Sequence, residues 1–452
     1  MPSDVAVLRE RLAALVGGDN LTADGAAYAV DGMVPALVVR PGTQHEVSEV
    51  VAACAEARAA LVPWGGGTAM AMGNPPRRLD VVVSLERLDR VVEFDPDNLC
   101  ITVEAGMPLG RLQALVAERQ ERLPLDPPDA DRVTMGGLVA ANQSGPCRLL
   151  HGTARDWVLG LRVVLPDGTR IHCGGRVIKN VSGYDMNKLF IQSFGTLGII
   201  TEVTVKLLPM PVCRATVLGA FTGFTEAAVV LAEVQASFLL PEALELLDPA
   251  AADLLQPVLG LDSRGTFALV AGFSGSQSTV DRQVRDLEAM VASLGGHAKT
   301  FREAESDEAW TAITNVQGGA APDPRRVVCQ LAVPIARTAD MLALARTRAA
   351  AQGLAATVTA HAGSGLVYAA LLPGDDLTEA GALAGLAAVT EALREEAVGV
   401  GGSLVLLQAP PRFKARVEAW GKPGSSFATM RRIKTEFDPQ DLCSPGRFLG
   451  GM

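Results

Sequence analysis

The sequence predicts an α+β protein: a two-lobed first part, then an antiparallel sheet covered on one side by helices. Three observations predict it. Short β-branched runs alternate with stretches of helical period through the first part of the chain, and "VKLLPMP" (Val205 to Pro211) closes that part with two prolines. Beyond it the alternation restarts with longer, alanine-rich helices, which points to strands paired antiparallel beneath a helical layer.

The elements follow in order. "MPSDVAVLRERLAALVGG" is an amphipathic helical start, and residues 1–34 form an N-terminal segment. Glu46 to Ala60 has helical period, while Leu79 to Leu85 and Leu99 to Glu104 read as strands. "VEFDPDN" (Val92 to Asn98) is turn chemistry that divides residues 35–211 into lobes of 35–95 and 96–211. A helix over Pro108 to Arg119 comes next, then a Pro/Asp-rich loop (Leu123 to Asp131) and a glycine-bounded helix from Met135 to Asn142. "PDGT" joins strands at Gly160 to Leu165 and Arg170 to Cys173 in a hairpin. In the second domain, 212–430, strand-like runs stand at Arg214 to Ala220, Thr266 to Gly272, Arg326 to Ala332 and Leu366 to Leu372. Residues 431–452, ending in Asp-Pro and Pro-Gly turns, form a compact tail that returns to the first domain.

Composition excludes several classes. A net charge of −10 without a dense Lys/Arg block disfavours nucleic acid. Every apolar run is broken before it reaches bilayer length, so membrane contact is expected only through a partner. The start lacks a cationic, long-apolar signal pattern, and the expected compartment is the cytoplasm. Seven scattered cysteines without a C-x-x-C pair argue against an in-chain iron–sulfur cluster or zinc ribbon.

"PWGGGTAMAMG" (Pro63 to Gly73) places three glycines in a row. Bare amides there can converge on phosphate oxygens, although an isolated triplet is more often a plain tight turn. No Walker-type or Rossmann-type glycine pattern is present. Context comes from "TMGGLVAANQSGP" (Thr134 to Pro146), with Gly136 and Gly137 at a helix start, and from "KNVSGYDMNKLFIQSFGTLGIITEVTVKL" (Lys179 to Leu207), with a second glycine turn before a strand.

With PWGGGT, VEAGMPLGRL, TMGGLVAANQSG, HGTARDWVLGLRVVLPDGT and GYDMNKLFIQSFGTLGIITE in this order, the chain resembles the FAD-linked oxidases, whose FAD-binding domain is of the vanillyl-alcohol oxidase / p-cresol methylhydroxylase type. The resemblance implies a two-lobed FAD-binding domain of that type, followed by an antiparallel α+β cap. It implies that Pro63, Trp64, Gly65, Gly66, Gly67 and Thr68 cradle the pyrophosphate. Thr134, Met135, Gly136, Gly137, Ala140, Ala141 and Asn142 would pack along the dinucleotide, and Gly198, Ile199 and Ile200 would offer backbone groups to adenine. Pro127, Ser144 and Gly145 would lie nearer the flavin. Members that attach FAD covalently carry a histidine just after the glycines; here Thr68 and Ala69 stand there, so non-covalent FAD is expected. For His151 the plain reading is a loop histidine with a satisfied ring.

Relatives that oxidise D-2-hydroxy acids carry H-x-G-D-G-N-x-H and a later Glu-His pair in the cap, holding a metal and the substrate. Here "HAGSGLVY" keeps His361 but has Ser364, Leu366 and Tyr368, and the pair aligns with about Leu407 and Gln408. One histidine cannot hold a catalytic metal, so no metal is expected and no catalytic residue is assigned. Arg325 and Arg326 could clamp a carboxylate, but an edge-strand arginine pair is usually solvated. The pattern, with "VEAWGKPGSSFATMRRIKTEFDPQDLCSPGRF" (Val417 to Phe448), resembles an FAD-binding subunit of bacterial glycolate dehydrogenases. The implied partners are a larger FAD subunit and an iron–sulfur subunit, with a small 2-hydroxy acid as the substrate of the complex. The alternatives are a self-sufficient FAD-dependent dehydrogenase or oxidase, which a catalytic Tyr368 or His361 would support, and a non-catalytic structural flavoprotein.

Overall fold

The computed structural model describes residues 3–177, 183–261, 265–316 and 323–452; Lys179 to Ser182 of the third glycine-bearing segment lie outside them. The chain divides into two compact units. One comprises Met1–Gln143, Thr153–Met210 and Lys422–Met452, the other Ser144–Gly152 and Pro211–Gly421. The expected cuts differ in two places. Residues 144–152 group with the second unit because the one-turn helix Arg148–His151 packs there, its Leu149 against Gly363 and its His151 on Glu242. The return to the first unit comes at Lys422, before the helix Phe427–Phe437 begins, rather than at 431.

In the first unit, β1 (Leu21–Thr22), β2 (Leu37–Val39), β3 (Leu61–Trp64) and β4 (Val81–Ser84) form a sheet in the order β1-β2-β4-β3, with β2, β4 and β3 parallel. All residues of β2 and β4 are buried, which is why they read as unbroken valine-rich runs. The helix Gln44–Glu56 connects β2 to β3; Thr43 caps it by accepting from Glu46 N at 3.1 Å. It ends short of the expected Ala60 because Arg58 takes a left-handed φ of 52° and turns the chain into β3.

β5 (Val91–Asp95), β6 (Cys100–Glu104), β8 (Val158–Val164), β9 (Arg170–Gly174) and β10 (Ile199–Lys206) form the second sheet, in the order β5-β6-β10-β8-β9 and antiparallel throughout. Two-residue strands β7 (Glu121–Arg122) and β11 (Leu208–Pro209) pair beside it. The lobe boundary set inside Val92 to Asn98 is corrected here. Val91–Asp95 pairs with β6 as an edge strand, only residues 96–99 turn, and the change of sheet falls between Ser84 and Val91. Alternation of apolar and acidic residues in "VVEFD" is edge-strand patterning that the adjoining Asp-Pro obscured. One continuous core, from Leu37 through Ile101 to Val203, joins the two sheets.

The second unit holds an eight-stranded antiparallel sheet: β15 (His297–Arg302), β12 (Cys213–Phe221), β14 (Phe267–Gly275), β13 (Ala243–Leu247), β17 (Leu354–His361), β18 (Leu366–Pro373), β16 (Val327–Ala332) and β19 (Ser403–Gln408), in that order. β12, β14, β16 and β18 are the expected runs. The other four are short, or carry Glu, His, Lys or Thr among their apolar residues, and were missed. Helices Phe224–Ala236, Gln277–Ser293, Thr338–Ala351 and Glu379–Gly399 pack on one face. The expectation of helices on one side only is overturned: Pro249–Leu259 and Ala304–Asn315 cover the opposite face around β12, β14 and β13. Nor is β16 an edge strand, for β18 and β19 flank it. Among the described residues no helix is long and apolar enough to cross a membrane.

Asp248 caps the helix Pro249–Leu259, accepting from Ala251 N at 2.8 Å, and faces Arg346 at 3.4 Å. Burial pushes its carboxyl up to about 6. A carboxyl raised on folding binds its proton more tightly in the native state, so stability is lost as pH rises from its unfolded value, about 4, to about 6. Asp248→Asn keeps an N-cap side chain and removes the titration. Thermal unfolding between pH 4 and 7 is expected to show the wild type losing about 2 kcal/mol relative to D248N over that window.

Candidate functional site

β3 delivers Pro63 and Trp64 to the sheet edge, and Gly65 to Thr68 follow as a half-buried turn. Trp64 packs edge-on against Tyr28, ring centroids 5.1 Å apart, and fixes where that turn departs. Across it runs the segment Arg132 to Thr134. A Cβ on Gly65 would meet Thr134 Oγ1 at 2.1 Å, and one on Gly66 would lie 1.6 Å from the Arg132 carbonyl oxygen. No side chain of any size fits at Gly66 unless the backbone shifts. Thr134 caps the helix Met135–Ala141 by accepting from Gly137 N at 3.3 Å.

The remaining motifs meet the same helix. Gly136 N donates to Ala105 O at 2.7 Å and Ala105 N to Thr201 O at 3.0 Å, tying "VEAGMP" to the helix and to β10. Gln192 N and Phe194 N donate to Val139 O and Ala140 O, at 3.1 and 3.0 Å, so the second glycine turn is clipped along the helix. Ile199 and Ile200 then open β10, both buried. Asn142 ends the helix in a left-handed conformation, φ 49°, its Oδ1 accepting from Arg155 N at 3.2 Å. Pro63 to Thr68, Thr134 to Asn142 and Gly198 to Ile200 therefore share one neighbourhood of the first unit. Pro127 sits buried in the same unit's Pro/Asp-rich loop. Ser144 and Gly145 group with the second unit, where Ser144 Oγ accepts from Arg148 at 3.1 Å.

The glycines let the turn pack directly on Arg132–Thr134, and a half-buried run without side chains of its own, held this way, suits a ligand's diphosphate. Residues 35–174 match the FAD binding domain model, and residues 210–406 and 414–448 match the C-terminal domain model of the FAD linked oxidases. The chain belongs to the FAD-linked oxidase family. It is an FAD-dependent oxidoreductase. It is 27% identical to the glycolate oxidase subunit GlcD of Bacillus subtilis over 98% of this chain and 96% of that one. To the D-lactate dehydrogenase of Archaeoglobus fulgidus it is 28% identical, over 91% of each. The structure of p-cresol methylhydroxylase with substrate bound matches with a TM-score of 0.75 at 18% identity, covering 99% of this chain and 97% of that one, which establishes the shared fold.

In this FAD-linked oxidase the cap sheet carries a second polar constellation. On the face opposite Val358, Ala360, Val367 and Ala369, the strand register sets Glu245 beside His361 and Thr359 beside Tyr368, with Gln330 next. His361 Nδ1 lies 2.5 Å from Glu245 Oε1, and both residues are 1% exposed. Tyr368 packs edge-on to the His361 ring at 4.8 Å and its hydroxyl accepts from Gln330 Nε2 at 2.8 Å. Glu245 Oε2 is buried without a hydrogen-bond partner, and burial pushes this carboxyl well above the usual range. The pair therefore sets a carboxyl that burial biases toward its protonated form within hydrogen-bonding reach of a buried imidazole nitrogen.

Sequence reasoning found His361 and Tyr368 but missed Glu245; its signal is a lone carboxylate inside the apolar run "ALELL". Ser364 lies in the β17–β18 turn, donating to His361 O at 2.9 Å, and Leu366 opens β18. Gln408 ends β19 and accepts from Arg326 at 3.4 Å, while Arg325 is engaged by Asp323 and Asp375, each at 2.9 Å, which removes it as a carboxylate clamp. His151 Nε2 pairs with Glu242 at 2.7 Å. Among the described residues no group of three or more His, Cys, Asp or Glu is placed to hold a metal. Burial pushes the Cys54 and Cys329 thiols up to about 12, which leaves neither as a nucleophile.

Gly66→Ala tests the cradle. The purified variant is expected to keep its far-UV circular dichroism and lose bound flavin, with FAD affinity down about 100-fold or more by fluorescence titration, because the loop must move off the Arg132 carbonyl.

Proposed function

We propose that the chain is the FAD-binding subunit of a 2-hydroxy-acid dehydrogenase complex of the glycolate type, relaying electrons through non-covalent FAD to a partner. The observation that carries this reading is the close packing of Gly65 and Gly66 on Arg132–Thr134 in the first unit, taken with a second unit that keeps one histidine where hydroxy-acid-oxidising relatives carry a metal-binding set. End-to-end similarity to a glycolate oxidase subunit supports the substrate class. Bound FAD supplies a two-electron acceptor that can release electrons singly. This chain's residues hold it: the Gly65 to Thr68 amides face the diphosphate, the helix Met135–Ala141 lies along it, and Ile199 and Ile200 flank its far end. Thr68 and Ala69, where covalent relatives place histidine, leave the attachment non-covalent. A larger flavin subunit and an iron–sulfur subunit complete the assembly, and membrane contact runs through them.

An anaerobic visible spectrum of the purified chain tests the reading. Flavin bands that dithionite bleaches but no D- or L-2-hydroxy acid bleaches, glycolate included, are the expected result. Bleaching by one acid without a partner overturns the relay.

A second reading is favoured by the Glu245–His361 pair: a self-sufficient dehydrogenase that needs no metal. His361 would take the proton from the substrate hydroxyl, and Glu245 would hold the imidazole ring through Nδ1 and share the charge. On this reading His361→Asn slows bleaching by the active acid about 100-fold or more, Glu245→Gln does so by less, and both keep wild-type FAD affinity. Unchanged bleaching rates in both variants would falsify this role.

A further inference from the structure

Residues 442–448 lie against the segment that leaves the glycine triplet. Leu61 N donates to Leu442 O and Ser444 N to Leu61 O, both at 2.8 Å, so the tail extends the first sheet beside β3. Arg77 N donates to Pro445 O at 2.8 Å, Asn74 N to Arg447 O at 3.1 Å and Asn74 Nδ2 to Phe448 O at 3.2 Å. The same tail reaches the second glycine turn. Lys434 Nζ donates to Thr196 O at 2.9 Å, Phe448 stacks on Phe194 with centroids 5.6 Å apart, and a Cβ on Gly195 would touch both Pro63 and Ser444.

One side chain stands out. Arg447 is 4% exposed, and its Nη2 donates to Met70 O at 2.9 Å and Met72 O at 2.7 Å, with Nη1 3.2 Å from Met70 Sδ. Met70 N in turn donates to Gly67 O at 3.3 Å. Burial pushes the guanidinium down to about 10, with Asp31 pulling the other way, so its place is costly to maintain. If Arg447 only filled space, an apolar side chain of that volume would do so more cheaply. Its donors go to an irregular loop that has no ladder of its own to hold it.

We propose that Arg447 is a positioning residue for FAD: from the carboxy-terminal tail it fixes the carbonyls of Met70 and Met72, and so holds the glycine turn in the shape that receives the diphosphate before the cofactor arrives. A loop ordered in advance spends none of the binding free energy on its own ordering. The proposal goes beyond the subunit assignment, since it concerns FAD affinity alone.

The test uses the full chain, stripped of flavin, titrated with FAD by fluorescence quenching, with thermal unfolding of the flavin-free protein measured alongside. Arg447→Met is expected to bind FAD at least about ten-fold more weakly, and Arg447→Lys, which keeps the charge but is one bond shorter, to fall between it and the wild type. Arg77→Ala, at the exposed Arg77–Asp441 pair, is the control and should bind as the wild type does. FAD affinity within about two-fold of wild type in R447M overturns the proposal, whatever happens to the unfolding midpoint, because a role in stability alone lowers the midpoint and leaves the affinity of the folded protein unchanged. Should R447M fail to fold, R447K at wild-type affinity overturns it as well.

Discussion

Where a residue's Cβ would point straight into a neighbouring backbone, only glycine lets the two segments pack. At Gly66 that packing organises the whole first unit: the turn after β3 lies on the carbonyl of Arg132, and everything else in the cradle is placed by what the Arg132–Thr134 segment touches. Thr134 starts the helix, the helix receives Ala105 from the second sheet and the Gln192–Phe194 turn from beyond it, and β10 begins where that turn ends. Two sheets of different character, one largely parallel with its central strands β2 and β4 buried, the other antiparallel, are thus registered through one short helix. A single continuous core beneath them makes the arrangement rigid enough to present bare amides at fixed positions.

Much of this was legible, and the reasons are local. Glycine runs, the hairpin at "PDGT" and the proline-marked end of the first part each encode a backbone conformation in one or a few residues. The motifs were recognisable because close packing tolerates few residue types at those positions. What escaped was decided by tertiary context. Val91–Asp95 is a strand because β6 offers an edge, and its Asp-Pro ending said only where the strand stops. β13 and β17 were hidden by Glu245, Thr359 and His361, polar residues that break the apolar pattern of a buried strand. Asp248, buried at a helix start, and Arg447, buried in the tail, look like surface charges in sequence; nothing local announces that each is enclosed.

The tail shows how a distant segment can complete a local motif. "SPGRF" is short, polar and terminal, which usually means frayed. Here Pro445 and Gly446 turn the chain so that its carbonyls accept from Arg77 and Asn74, and the turn aims Arg447 at the loop behind the glycines. The glycine triplet alone specifies a flexible turn; Arg132–Thr134 packs on it, and Arg447, almost four hundred positions away in sequence, holds the loop behind it. Flexibility at the ligand and rigidity behind it are supplied by different parts of the chain, which is why a motif read in isolation looks weaker than the site it belongs to.

In the cap, the energetic argument runs through Glu245. A buried carboxyl with one oxygen lacking a hydrogen bond is an expensive way to fill a sheet, and a leucine there would continue the run on either side of it. Its proximity to His361 offsets part of that cost, yet the pair would be more stable still as two apolar residues. Burial biases the Glu245 carboxyl toward its protonated form and His361 Nδ1 lies within hydrogen-bonding reach of it, so this is a contact across which a proton could be shared. A relay subunit that never touches substrate has no need of such a rung, while a metal-free oxidoreductase needs one acceptor for each hydroxyl it oxidises. The two functional readings thus place opposite demands on the same 2.5 Å contact, and that contact, rather than the shared FAD cradle, is where they diverge.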